Sequence, residues 1–267
     1  MSVGRALSIA TTGMAVYEKW LEVKAANLTG AGVDGFKSLF LVATDLPSDN
    51  ADLPGTPTST SGTIRPIGLQ IGLGAKVVGA YRSFAKGDLI NTGNPLNIAI
   101  DGQGFFQVQM PDGTTAYTRS SSFQLSADGT IVTTDGGFKV LPGIVIPANA
   151  QAVEINEVGQ VYITYNGQTS SVLLGQFELA TFLNPSGLKV LRGGFFSETA
   201  ASGTPTTGYP NSDNRGGLLQ GFREGSNVNS VQEITDLIKI EKGFGFLTKV
   251  LNTADAMSDS MKGIGRN

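Results

Sequence analysis

The sequence predicts an α+β fold: paired N- and C-terminal helices in a coiled-coil-like arrangement, an extended linker, and an outer, mainly antiparallel β domain. Three observations carry this. Apolar residues recur at alternating steps of four and three over the first 28 residues and again beyond residue 230. Between these stretches the apolar period drops to two, the signature of half-buried strands. The 36 glycines and the low charged fraction of 15% suit a turn-dense β protein.

The first helix follows from Val3, Leu7, Ala10, Met14, Tyr17, Leu21, Lys24 and Leu28, a heptad series apolar everywhere except at Lys24. Gly30, Gly32 and Gly35 end it. Lys24 in the seam is either a register device or a snorkelling stem. Tyr17 and Trp20 are either contact anchors or aromatics packed beside the seam. Residues 45–66, rich in Pro, Gly, Ser, Thr and Asp, suggest an extended linker or exposed loop.

Leu96-Asn97-Ile98-Ala99-Ile100 opens the β domain with strict alternation. Asp-Gly pairs at 101–102, 112–113, 128–129 and 135–136 then punctuate strand-like runs at 105–110, 116–119 and 130–133, as tight hairpins require. At the far end, Ser230-Val231-Gln232-Glu233 fits a capping box. Leu237, Ile240, Phe244, Leu247, Leu251, Ala254 and Met261 continue from it on the heptad alternation. The predicted division is 1–36 with 227–267 as a helical assembly domain, 37–85 as linker and 86–226 as β domain.

Magnitudes suggest what the ends do. Burying the large apolar side chains of the N-terminal seam yields about 10 kcal/mol, whereas ordering each backbone residue costs about 1–2 kcal/mol. Gly243 and Gly245 weaken the second helix by roughly 1 kcal/mol apiece. Both ends are therefore expected to order against partners. Packing of the helices on their own β domain is the plainer alternative.

Composition closes off several functions. A net charge of −3 and a pI near 5.1 do not suit a nucleic-acid binder. With no cysteine and no histidine, thiol nucleophiles, disulfides, the commonest general base and most transition-metal sites are absent. Ile71-Gly72-Leu73-Gly74-Ala75 and Gly102-Gln103-Gly104 start but do not complete a dinucleotide loop. The Asp-Gly pairs lack the context of a calcium loop. No catalytic, cofactor-binding or metal residue is assigned, and neither a cofactor nor a small-molecule substrate is expected. No apolar run is long enough to span a membrane, and the start of the chain lacks the features of a cleavable signal. On residues alone that pattern defaults to the cytoplasm.

Ala6 through Met14, Leu21-Glu22-Val23, Asn27-Leu28 and Gly35-Phe36-Lys37 resemble the N-terminal signature of bacterial flagellar rod and hook proteins. Gly104-Phe105-Phe106, Tyr117-Thr118-Arg119, Ile146 through Ala150, Asn184-Pro185, Glu198 through Gly203, Gly221 through Asn229 and Thr253-Ala254-Asp255 extend the resemblance over nearly the whole chain. Gly68-Leu69-Gln70-Ile71-Gly72, with the length, is most similar to the distal-rod branch, ahead of proximal-rod and hook subunits.

The resemblance implies a homo-oligomeric helical rod whose inner tube is made by the terminal helices. It also implies passage through a type III exporter without a cleaved signal, replacing the cytoplasmic default with a basal body crossing the periplasm. Implied partners are the hook protein, the proximal rod proteins, the rod cap, and the periplasmic and outer-membrane rings. The residues expected at the assembly interface are Leu7, Met14, Tyr17, Leu21, Asn27, Leu28, Leu237, Ile240, Phe244, Leu247 and Leu251. The chain departs from the family pattern at Ala26-Asn27, at Gly30 and Gly32, and at Lys242-Gly243-Phe244-Gly245, so weaker docking of the first helix and a more flexible second helix are expected. An extracellular binding module with incidental helical ends would instead show a ligand-sized cleft and a stable monomer, and an enzyme working through carboxylates would need a cleft with paired Asp/Glu.

Overall fold

The computed structural model describes residues 2–52, 68–167 and 170–264. Val3 and Met261, both expected in the helical seams, and most of the linker tip lie outside the described side chains. The chain divides into two units: residues up to Leu28, Leu39–Tyr81 and Ser230 onward make the first, and Thr29–Ser38 with Arg82–Asn229 make the second.

The first unit is built on α1 (Ser2–Gly30) and α2 (Ser230–Ile264). With them come β1 (Leu39–Asp45), β2 (Ser48–Asp52), β3 (Leu69–Gly72) and β4 (Ala75–Arg82). Thus the region predicted as linker carries two strand pairs, β1 with β4 and, antiparallel, β2 with β3. The pairing has a physical source in the alternation of β1, where Leu39, Leu41 and Ala43 are more buried than Phe40 and Val42. One face of the ribbon is covered and the other is open.

The second unit is β throughout apart from short turns of 3₁₀ helix. Its largest sheet has nine strands and runs, in spatial order, through Lys189–Val190, Phe195–Ser197, Thr115–Thr118, Phe105–Gln109, Lys139–Val140, Ile131–Thr133 and Phe123–Leu125. Leu179–Thr181 pairs with Phe105–Gln109 and with Thr206–Gly208. A three-stranded meander spans Ala150–Ile155, Gln160–Tyr165 and Ser171–Gln176. Every registered ladder is antiparallel, and several connections turn at Asp-Gly pairs: Gly113, Gly129 and Gly136 all have positive φ. The main core gathers Ile98, Ile100, Phe106, Phe123, Ile131, Ile163, Phe177 and Leu218. A second, aromatic cluster of Phe105, Tyr117, Phe182 and Phe196 packs edge-to-face around Phe84. The expected α+β architecture is what the chain adopts.

Candidate assembly surface

In the first unit α1 and α2 run antiparallel. Lys24 meets Glu233 and Asp236, a Cβ at Gly243 would meet Tyr17, and one at Gly13 would meet Leu247. The sequence explains how the helices approach. A Cβ on Gly243 would lie 2.7 Å from the Tyr17 ring, so glycine is what lets that ring settle on α2. By contrast nothing lies near Gly245.

The inner row of α2 follows the predicted spacing. Ile240 and Ala254 are buried, and Leu237, Phe244, Leu247 and Leu251 are half-buried. On α1 the buried row is rotated from the predicted seam. Ala10, Val16 and Asn27 are buried, Leu7, Met14, Tyr17 and Leu28 are half-buried, and Leu21 is 47% exposed. The rotation has a polar cause in Asn27. Its Nδ2 donates to the Leu39 carbonyl at 2.9 Å and its Oδ1 accepts from the Leu39 N–H at 2.8 Å. This two-way clip fixes which side of α1 faces β1. Asn27 therefore docks the helix on β1 through both polar atoms of its amide.

Lys24 is the second polar anchor. Its Nζ lies 3.2 Å from Glu233 and 3.0 Å from Asp236, with all three side chains largely covered. Burial opposes the ammonium charge, but the hydrogen bonds to Asp236 and Glu233 together outweigh it and raise the lysine pKa. The same Lys24 bond holds the Asp236 carboxyl below its ordinary range. Glu233, expected to close a capping box, turns its carboxylate to this lysine instead. Both helices run unbroken over their described length. What is missing is cover. Of the described side chains of α2, only Glu233, Ile240 and Ala254 are fully buried. Val231, Ile234, Ile238, Phe246, Val250 and Met257 form an exposed outer row, led by Val231 at 75% and Phe246 at 64%.

The second unit carries a buried ionic clasp at Glu224, next to the segment leading into α2. Lys37 Nζ lies 2.6 Å from Glu224 Oε1, with both side chains wholly buried, and the Gly87 N–H donates to the same oxygen at 3.0 Å. Arg119 Nε stands 3.3 Å from Oε2, an ion-pair contact and not an aligned hydrogen bond. The Arg119 fork also donates to the carbonyls of Gly104 and Gly102, each at 2.8 Å. Lys37 donates to the Ala85 carbonyl, which Asn227 Nδ2 also reaches. Asn227 Oδ1 accepts from the Ser38 N–H at 2.7 Å. The clasp thus ties residues 35–38, 83–87 and 224–227 together. These are the stretches through which the chain enters and leaves the second unit. Burial and the nearby Arg119 charge pull the Lys37 pKa down against the attraction of Glu224. Gly35, at φ 65°, fits because a Cβ there would strike the Arg119 carbonyl.

In the second unit one recess of about 490 Å³ is lined by Phe84, Phe105, Phe182, Leu183 and Arg119, and another of about 550 Å³ by Asp112, Thr115, Tyr117, Leu191 and Glu198. No group of three or more metal-ligating side chains occurs among the described residues. Two long helices drawn from opposite ends of the sequence, with a clasped β unit between them in the chain, are the marks of a structural axial subunit. A family model described as the flagellar hook protein FlgE/F/G D1 domain matches residues 99–163, and one described as the flagellar basal body rod FlgEFG protein C-terminal matches residues 219–264. The flagellar basal-body rod protein FlgG of Agrobacterium fabrum is 41% identical over 95% of this chain and 97% of its own length. That of Borreliella burgdorferi is 36% identical over 98% of both. The flagellar hook protein FlgE of Brucella suis matches less, at 29% over 45% of the chain. The chain belongs to the flagellar basal-body rod protein FlgG family, whose members are structural proteins and not enzymes.

Proposed function

We propose that this chain is a rod subunit that assembles with copies of itself through its terminal helices and carries torque along the rod. The family supplies the structural role. The observation that supports assembly through the helices is the outer row of α2, whose large apolar side chains stand open to solvent in the single chain. Covering each would return about 1 kcal/mol, and six such contacts repeated along a polymer are enough to hold it. Leu7, Met14, Tyr17, Leu21, Asn27 and Leu28 of α1, with Leu237, Ile240, Phe244, Leu247 and Leu251 of α2, form the helical assembly domain. In that domain Leu21 faces outward, and the inner residues set the pairing on which the outer row depends. A distal position in the rod, neighbours in the hook, proximal rod, rod cap and rings, and export without a cleaved signal complete the reading.

The experiment is sedimentation against concentration with electron microscopy of the full chain. Rods should appear above a threshold concentration, and Leu21→Asp should raise that threshold. A chain that stays monomeric at every concentration refutes assembly, as does a Leu21→Asp chain that forms rods as readily as the parent while Val231→Asp also changes nothing.

A further inference from the structure

The recess of about 550 Å³ in the second unit is acidic and has no counter-charge. It lies beside the hairpin that joins Phe105–Gln109 to Thr115–Thr118, walled by Asp112, Thr115, Tyr117, Leu191, Ser197 and Glu198, with no cation in its described lining. The register explains the grouping. Phe196 lies opposite Tyr117 in the ladder, so alternation puts Thr115 with Tyr117, and Glu198 with Phe196, on one face of the sheet. Tyr117 is only 4% exposed, its ring edge-to-face on Phe182 at 4.8 Å, yet its hydroxyl makes no hydrogen bond among the described residues. Burial, and after it the Glu198 charge, push the Tyr117 pKa up, so the phenol keeps its proton. Glu198 itself is exposed and forms no salt bridge among the described residues. Asp112 is fixed by Thr114, whose N–H and hydroxyl donate to its Oδ1 at 3.0 and 2.6 Å and hold its pKa below the ordinary range.

This wall is rich in acceptors and short of positive charge, which defines what fits it. A guanidinium presents a rigid fork of N–H donors, enough to meet both carboxylates and the phenol oxygen at once. A divalent cation suits it less, since hard cations need many oxygen ligands and no group of three or more metal-ligating side chains occurs among the described residues. We propose that this recess binds the guanidinium of an arginine side chain carried by a protein neighbour, with Glu198 and Asp112 as its anionic acceptors and the Tyr117 oxygen as the neutral one. Every residue of the site belongs to the second unit, so the proposal does not rest on the assembly reading above.

The chain has six tyrosines, and the one at the site can be observed directly. In the full chain with isotope-labelled tyrosine rings, the resonance missing from Tyr117→Phe belongs to Tyr117. N-acetyl-argininamide, titrated at constant ionic strength, should shift that resonance and saturate, whereas the uncharged citrulline analogue should not. Glu198→Gln should raise the dissociation constant by about tenfold or more. Asp112→Asn should raise it by about threefold, and its amide oxygen still accepts from Thr114, so the hairpin turn is kept. Glu198 is exposed and its replacement leaves the core intact, so a loss of binding there reads the site and not the fold. No saturable shift, an equal shift with the citrulline analogue, or binding unchanged by Glu198→Gln overturns the site. Calcium chloride moving the resonance where N-acetyl-argininamide does not would make this a metal site and overturn the arginine assignment.

Discussion

Glu224 is the single carboxylate facing two buried cations, and that imbalance makes a sharp prediction about which member of the clasp matters. With Lys37, Arg119 and Glu224 all charged, the cluster carries one net positive charge out of contact with water. Glu224→Gln keeps the shape and still accepts from the Gly87 N–H, but it leaves two cations without a counter-charge and can set an amide N–H against the Arg119 Nε. Removing one partner of a buried pair costs about 3–5 kcal/mol. Lys37→Met has the opposite character. It leaves Arg119 and Glu224 as a neutral pair, the Gly87 bond remains, and the Ala85 carbonyl keeps its 3.1 Å bond from Asn227. The cost should be about 1–2 kcal/mol, the price of hydrogen bonds lost without a stranded charge. The double variant restores the original net charge, so it should be more stable than Glu224→Gln alone, a favourable coupling that a double-mutant cycle measures. Urea unfolding of the full chain followed by circular dichroism gives the ordering. Hydrogen exchange over residues 34–38, 82–88 and 222–228 shows whether the loss is centred on the clasp. Should Lys37→Met cost as much as Glu224→Gln, or the double variant cost the sum of the two, charge balance would not be what holds these segments.

Three further outcomes follow from the same geometry. Asn27→Ala should destabilise the first unit by roughly 1–3 kcal/mol, since it strands both the N–H and the carbonyl of Leu39; thermal unfolding followed by Trp20 fluorescence, from the chain's sole tryptophan, is the measurement. Gly245→Ala should stabilise α2 by about 1 kcal/mol, whereas Gly243→Ala should not, because the new methyl group would meet the Tyr17 ring; helix content and melting temperature separate the pair. For the Lys24 cluster, Asp236 has a lowered pKa in the fold, so its contribution is present above the ordinary aspartate range and is lost as acid takes the pH down through the folded value. Lys24 has a raised one, so its contribution is present below the ordinary lysine range and is lost as the pH climbs through the folded value. Stability followed by Trp20 fluorescence should therefore be level across neutral pH and fall at both extremes, with Lys24→Met removing the alkaline fall assigned to this group.

The helices were legible because a heptad alternation is a strong, local signal, and Ile240, Leu247 and Ala254 fall inward as the spacing predicts. The rotation of α1 was not, because a single bidentate asparagine outweighs a marginal difference in apolarity between neighbouring rows. Leu21 and Val16 are five residues apart, and the docking of Asn27 on Leu39 together with the Lys24 anchor turns the valine in. Glu233 carried a correct polar signal with the wrong partner: capping residues are read from local spacing, while its lysine lies 209 positions away. The clasp was invisible for the same reason. Lys37 and Glu224 stand 187 residues apart, and nothing local to either marks it as buried. Strands were readable where alternation and Asp-Gly turns coincide, as at Ile98–Asp101. They were hidden between residues 39 and 82, where the apolar run at Leu39 and its partner strand Ala75–Arg82 are separated by a long polar, glycine- and proline-rich stretch.

The antiparallel match between α1 and α2 also sets an order of events for the growing polypeptide. The first helix is made well before the second, and the residues that meet its Lys24, Tyr17 and Gly13 all belong to the later one. A contact between such distant positions is slow to close and cannot begin until the second helix has been translated. Any product truncated before Ser230 would leave Lys24 without the two carboxylates that hold it and Tyr17 without the glycine surface it settles on.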